Sequence, residues 1–206
     1  MSNPNTSEQL KEKLVAHIQD IYVMEQEFGK MLDSFDKPIT EFKRFPEFRA
    51  RVLGCLDECK EHTTHMRELL DFYKAQVPTG RKFSSPFFGN FITFFSTLKP
   101  VSFSDYATTL YTFTQFEIAQ YRMLTTLALA CGDKETIRIA EEHLRTEIEM
   151  QRWLFERLPE VCLYSLEYEG VNVPQNSWES ARQLELVGSA ATFPTFSAHV
   201  PETTIR

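Results

Sequence analysis

Several glutamates stand at positions where their neighbours predict a buried helix face. At about 100° per residue, Glu25 falls within roughly 20° of the centre of an apolar stripe. Glu117 interrupts a second stripe in the same way, and Glu147 and Gln151 interrupt a third. A carboxylate buried without a partner costs several kcal/mol or takes up a proton. The pattern therefore predicts a bound countercharge inside the protein.

Glu58 and His62 add a further carboxylate and an imidazole, one turn apart on another helix. They lie at the edge of that helix's stripe, roughly 50° to 90° from its centre. Two divalent cations would balance the charge of the four glutamates, and these ligands suit Fe or Mn, with Zn possible. A single glutamate in a stripe is more often a boundary residue that reaches water. Four glutamates at similar depth in four helices together favour a dimetal site.

Helical periodicity identifies the elements that must position these residues. Apolar residues recur at threes and fours over residues 6–35, 48–76, 102–131 and 134–158, and Pro159 is expected to end the last helix. The crossover, residues 77–101, is rich in phenylalanine and could contain a short helix; we expect it to cover one end of a bundle or a subunit interface. Two helical hairpins joined by a long connection are typical of ferritin-like bundles.

The predicted fold is thus all-α, an antiparallel four-helix bundle of the ferritin-like kind over residues 1–160. Residues 161–206 form a C-terminal extension to which the sequence assigns no role, and its first part, residues 161–173, could be extended. The length of 206 residues suits one domain with an appendage.

Composition limits the classes of partner. The 22 basic and 29 acidic residues give a net charge of −7 without a basic stripe, which argues against nucleic acid. No run of eighteen apolar residues and no secretory start occurs, so we expect a soluble cytoplasmic protein that is not membrane-bound. The four cysteines show no C-x-x-C spacing and are expected to be reduced, with Cys55 and Cys59 in the core.

Four short stretches follow one another in a recognisable order over about three quarters of the chain. They are residues 20–22 with Glu25, residues 56–59 with His62, residues 117–119 with Tyr121, and residues 144–151. In this order they resemble the YciF/YciE-like ferritin-like family, small bacterial bundles linked to stress responses. The resemblance implies a four-helix bundle, a homodimer and a dinuclear iron or manganese site.

Carried over position by position, the resemblance implies the metal ligands Glu25, Glu58, His62, Glu117 and Glu147. Gln151 stands where the family commonly has an acid, and its amide oxygen would be a weaker ligand. Glu58 and His62 are four residues apart, unlike the strict Glu-x-x-His of ferritins and rubrerythrins.

Two tyrosines and two further histidines accompany the candidate ligands. Tyr22 and Tyr121 occupy comparable positions in the two hairpins, where they could hydrogen-bond a metal-bound carboxylate, act in radical or electron transfer, or simply pack. His65 follows His62 by one turn and is expected to be solvated rather than a ligand. His143 has no partner at ligand spacing along the sequence.

Three hypotheses for function follow from these residues. The first is a dimetal carboxylate protein that acts on peroxide, oxygen or iron, by peroxide breakdown or ferroxidase-type oxidation. The second is a metal-free bundle that binds partners through the crossover and the extension. The third is a dimetal oxygenase acting on an organic substrate in a pocket beside the site.

Overall fold

The computed structural model describes residues 4–36, 45–80, 82–98, 100 and 102–183. Within these ranges the chain forms helices only, so the predicted all-helical bundle is confirmed. The helices are α1 (Pro4–Asp36), α2 (Pro46–Phe72), α3 (Pro86–Thr97), α4 (Phe103–Cys131), α5 (Lys134–Tyr168) and α6 (Gln175–Gln183). None of the helices described has the length and apolar character needed to cross a membrane.

Local capping fixes the ends of α4 and the start of α5. The Ser102 side chain accepts a hydrogen bond from the Asp105 backbone N–H, and the Asp105 side chain accepts one from the Ser102 backbone N–H. This capping box satisfies two backbone donors at the start of α4. Gly132 ends the helix with a left-handed φ of 69°, and the Asp133 carboxylate then accepts the first free N–H groups of α5.

Aromatic and aliphatic side chains form the core of the bundle. Helix α1 packs against α2, α3 and α4. Phe28 of α1 stacks on Phe113 of α4, with ring centroids 3.8 Å apart, and Phe48 of α2 meets Phe103 edge-on at 4.8 Å. Further side chains with almost no exposure surround them, among them Leu14, Ile18, Met66, Leu110, Leu124 and Leu154. A charged group within this core needs a compensating partner.

The phenylalanine-rich crossover packs against the bundle through α3. Phe88, Ile92 and Phe95 are buried, and Phe91 stacks on Phe116 of α4 at 3.7 Å. The preceding loop is anchored to α1, because the Asp20 carboxylate accepts hydrogen bonds from the backbone N–H and the hydroxyl of Ser84 at 2.6 Å and 2.5 Å. The crossover thereby ties α1 to α4.

The expected end of the fourth long helix was wrong. Helix α5 continues through Pro159 to Tyr168, and the segment from residue 161, which could have been extended, is helical as far as that residue. A proline inside a helix costs about 3 kcal/mol. Val161 and Ser165 are nevertheless buried at helical spacing, and this continued burial of one helix face offsets the cost.

The chain divides into two compact units between Leu158 and Pro159. Within the second unit α6 contacts the end of α5: the Trp178 indole donates to Glu167 at 3.2 Å and the Arg182 guanidinium donates to Glu160 at 3.1 Å. The remainder of the predicted extension, residues 184–206, lies outside the described part of the chain.

Candidate metal centre

Four helices place charged side chains at one point in the core of the first unit. Glu25 of α1 and Glu117 of α4 are fully buried, and Glu147 of α5 and His62 of α2 are almost so. The His62 Nδ1 atom lies 3.4 Å from a Glu25 oxygen and 3.6 Å from a Glu147 oxygen. One imidazole therefore stands between carboxylates from two different helices.

Glu117 is the least compensated of these residues. Neither of its carboxylate oxygens has a hydrogen-bond donor among the described residues. Its neighbour Glu147 can bond to it only when one of the two is protonated. Burial, followed by repulsion from Glu147 and Glu25, raises the pKa of Glu117 well above its usual value. Burial also raises the pKa of Glu147 to about 8, although His62 opposes the shift.

The pKa of the His62 imidazole is raised as well, but by charge rather than by burial. Burial lowers its pKa, but the carboxylates of Glu25 and then Glu147 raise it above the ordinary value overall. Protons on His62, Glu117 and Glu147 thus compensate the buried charge in the metal-free chain. Cations could replace these protons.

Two of the predicted ligands lie at the margin of this cluster. Glu58 is half-buried; one oxygen accepts a hydrogen bond from Arg51 at 2.8 Å, and the other is buried without a partner among the described residues. Gln151 is buried, and its amide nitrogen donates to the Tyr111 hydroxyl at 3.2 Å. Its carbonyl oxygen has no partner within the described ranges. Each residue keeps one free oxygen.

The two tyrosines have different hydrogen-bond partners in the structure. The Tyr121 hydroxyl donates to Glu25 at 2.6 Å, and burial together with Glu25 raises its pKa well above the usual value. The Tyr22 hydroxyl instead accepts hydrogen bonds from Arg67 at 2.8 Å and Gln26 at 2.9 Å. Of the two, Tyr121 contacts a candidate ligand, whereas Tyr22 has a satisfied hydroxyl as in the packing alternative.

Cys59 joins the cluster although the sequence placed it in the core. Glu25, Cys59 and Glu117 each offer a ligand atom, and these three atoms lie within 4.8 Å of one another. Burial, and then the two carboxylates, raise the pKa of the thiol well above its ordinary value. Cys59 precedes His62 by three residues on α2, and this helical spacing was the signal that it shares the face of a ligand.

His143 was also missed. Its ring lies 3.9 Å from that of His62, and its Nε2 atom is 3.2 Å from Nδ1 of the half-buried His65. Burial, and then positive charge on His62, His65 and Arg138, lower the pKa of His143 to about 2. His65 therefore has a buried partner rather than the solvated position expected for it. His143 precedes Glu147 by one turn, so their shared helix face was readable from the sequence.

An open groove between α1 and α2 reaches the cluster. Its volume is about 590 Å³, and Glu25, Gly29, Leu56 and Cys59 contribute to its lining. A Cβ atom at Gly29 would lie 3.7 Å from both Cys59 and Leu56, an ordinary contact distance. The absence of a side chain at Gly29 keeps the groove wide beside a buried carboxylate.

The fold and this cluster define a helical-bundle protein with a carboxylate-rich interior. Residues 9–166 match the family described as Domain of unknown function (DUF892), and the chain belongs to that family. A crystal structure of a protein from Xanthomonas campestris is similar, with a TM-score of 0.65 and 26% sequence identity. The match covers 79% of this chain and 99% of the Xanthomonas chain.

Proposed function

We propose that the carboxylate cluster binds two divalent iron or manganese ions, with zinc as a possible substitute, and acts on peroxide, oxygen or iron. The observation that carries the proposal is Glu117, a buried carboxylate whose two oxygens lack a donor among the described residues. Oxygen ligands of this kind with one imidazole fit iron and manganese. The residues present therefore fit such a group.

The ligands would come from four helices. The inner set is Glu25, His62, Glu117 and Glu147. The thiol of Cys59, which lies beside Glu25 and Glu117, and the unpartnered oxygens of Glu58 and Gln151 would complete it. Bound iron or manganese would supply electron transfer to peroxide or oxygen. Tyr121 holds one oxygen of Glu25 by hydrogen bonding, and Arg51 holds one oxygen of Glu58.

The residue order also supports a finer assignment within the proposal. The stretches around Glu25, His62, Glu117 and Glu147 resemble the YciF/YciE-like family. We therefore propose that the helices form a ferritin-like antiparallel bundle and that the chemistry serves a stress response. Peroxide breakdown and ferroxidase-type oxidation are the two reaction types that the site would support.

Metal analysis tests the proposal. Protein purified from cells grown with added iron and manganese should carry bound metal close to stoichiometric and should consume peroxide or oxygen. Glu117→Gln should lose most of this metal, because it removes a buried charged ligand, whereas Glu142→Gln, at an exposed site on α5, should retain it. Metal below about a tenth of stoichiometric in the unaltered chain would contradict the proposal.

The metal-free scaffold remains the contrasting hypothesis, and the same variants separate the two. If no cation is needed, Glu25→Ala and Glu117→Ala should stabilise the protein, because they remove unneeded buried charge. Loss of metal, or of the stability that metal confers, in these variants would instead favour the metal centre.

The groove favours a second candidate function, that of a dimetal oxygenase with an organic substrate. Gly29→Leu would narrow the groove beside Cys59 and Leu56 without removing a proposed ligand. If the groove admits apolar molecules, the variant should bind 1-anilinonaphthalene-8-sulfonate at least about tenfold more weakly than the unaltered chain. Equal binding by both proteins, at unchanged metal content, would count against this function.

We further propose that the protein is a homodimer whose two subunits contact each other through α3. Phe87 and Phe94, one heptad apart on that helix, are 63% and 57% exposed, and exposed aromatic pairs commonly mark an interface. Light scattering should give twice the chain mass of 24.0 kDa. The double variant Phe87→Ser, Phe94→Ser should be monomeric; a monomeric unaltered chain would contradict the proposal.

A further inference from the structure

Two histidines at the outer side of the carboxylate cluster share a short contact that the proposed dimetal site does not use. His65 of α2 is half-buried and His143 of α5 is buried. The Nδ1 atom of the first lies 3.2 Å from the Nε2 atom of the second. Two ring nitrogens so close must have either a proton or a cation between them, because two lone pairs facing each other repel.

We propose that His65 and His143 form a separate two-histidine site for a first-row divalent cation such as zinc or iron(II). Imidazole nitrogens are common ligands for these ions. With metal–nitrogen distances of about 2.0–2.1 Å, a nitrogen separation of 3.2 Å corresponds to an angle at the metal of about 100°, close to tetrahedral. Rotation of each ring by about 40° would turn both lone pairs toward one ion, with water completing the shell.

The surroundings of the pair suit a partly exposed cation. The His62 ring lies against His143 in a tilted arrangement, with ring centroids 3.9 Å apart. On the outer side, the Glu135 carboxylate is close enough to His65 for their opposite charges to attract. The charge of Arg138, which opposes a cation, is compensated by its ion pairs with Glu135 and Glu142 at 2.8 Å and 3.1 Å.

Zinc titration of the metal-free full-length chain, followed by NMR of the imidazole ring protons, tests the site. We expect the resonances of His65 and His143 to shift together as zinc is added. His65→Asn should bind one zinc ion fewer per chain and should abolish the shift of His143. Thr64→Ala, at the exposed neighbouring position, should behave like the unaltered protein, and circular dichroism should show that both variants are folded.

The same titration in a Glu117→Gln background separates this site from the carboxylate cluster. If the carboxylates bind no metal, the unaltered chain and Glu117→Gln will take up the same amount of zinc, and the loss caused by His65→Asn will persist. Unmoved His65 and His143 resonances at saturating zinc would overturn the two-histidine site, whatever the cluster binds. An unchanged zinc count in His65→Asn would overturn it equally.

Discussion

The metal-free protein should lose stability as the pH rises from 7.0 to 8.5. In the folded chain, burial raises the pKa of Glu147 from its ordinary value of 4.5 to about 8. The unfolded chain is ionised at this residue throughout that window, while the folded chain still holds the proton at pH 7.0. Protonated Glu147 therefore makes its full contribution to the free energy of unfolding below pH 4.5, and this contribution is lost as the pH rises through 8.

The magnitude follows from proton linkage at Glu147. Between pH 7.0 and 8.5 the free energy of unfolding should fall by about 1 kcal/mol from this residue alone. The raised pKa values of Glu117 and His62 act in the same direction. The lowered pKa values of His17 and His143 act mainly below pH 6.5, outside the window. For a chain of this size the loss corresponds to a fall in Tm of about 2–5 °C.

Urea unfolding in the presence of a chelator, at four pH values across this window, measures the effect. Glu147→Gln should remove most of the pH dependence, because the titrating group is gone, whereas Glu142→Gln should keep it. Adding manganese should reverse the trend, since cations displace the protons and bind more tightly as the pH rises. A free energy of unfolding that stays constant or increases in the metal-free chain would refute the reasoning.

Three further substitutions test the contacts around the site and in the core. Tyr121→Phe removes the donor to Glu25 and should cost about 1–3 kcal/mol by urea unfolding in chelator; an unchanged midpoint would show that this hydrogen bond is dispensable. Phe113→Ala should cost about 3–5 kcal/mol because the ring is buried, whereas Leu129→Ala at an exposed position of α4 should stay within about 0.5 kcal/mol. Cys59→Ser should weaken zinc binding more than manganese binding, because a thiolate prefers the softer ion; equal losses on competitive titration would exclude it as a ligand.

The fold was largely predictable because the spacing of apolar residues along a helix shows which of its faces is buried. Repeats of threes and fours located the long helices, and Gly132 with Asp133 located the connection between α4 and α5. The prediction failed at Pro159, where the local rule that proline ends a helix was overridden. Burial of Val161 and Ser165 is a tertiary property, and a local rule takes no account of it.

The sequence predicted only those features of the candidate site that depend on a single helix. Position within a stripe identified Glu25 and Glu117 as buried, and the structure confirms their burial. Stripe position could not distinguish the role of Tyr121 from that of Tyr22, because the two tyrosines differ in their partners on other helices. The Tyr121 hydroxyl bonds to a carboxylate, whereas the Tyr22 hydroxyl bonds to Arg67. His143 was missed for the same reason, since its contacts come from α2 and α4.

Charge compensation in the cluster is uneven, and this unevenness explains why a cation is the natural ligand. Arg51 neutralises Glu58 at the margin, and protonated His62 can balance Glu25, which it contacts. No cationic side chain among the described residues pairs with Glu117, and its neighbours include the carboxyls of Glu147 and Glu25. Burial raises the pKa values of Glu117 and Glu147, so in the metal-free chain these two carboxyls hold protons in place of a countercharge. Two protons carry the charge of one divalent ion, so an ion that displaces both leaves the interior as neutral as before and gives the unpartnered oxygens of Glu117 a ligand.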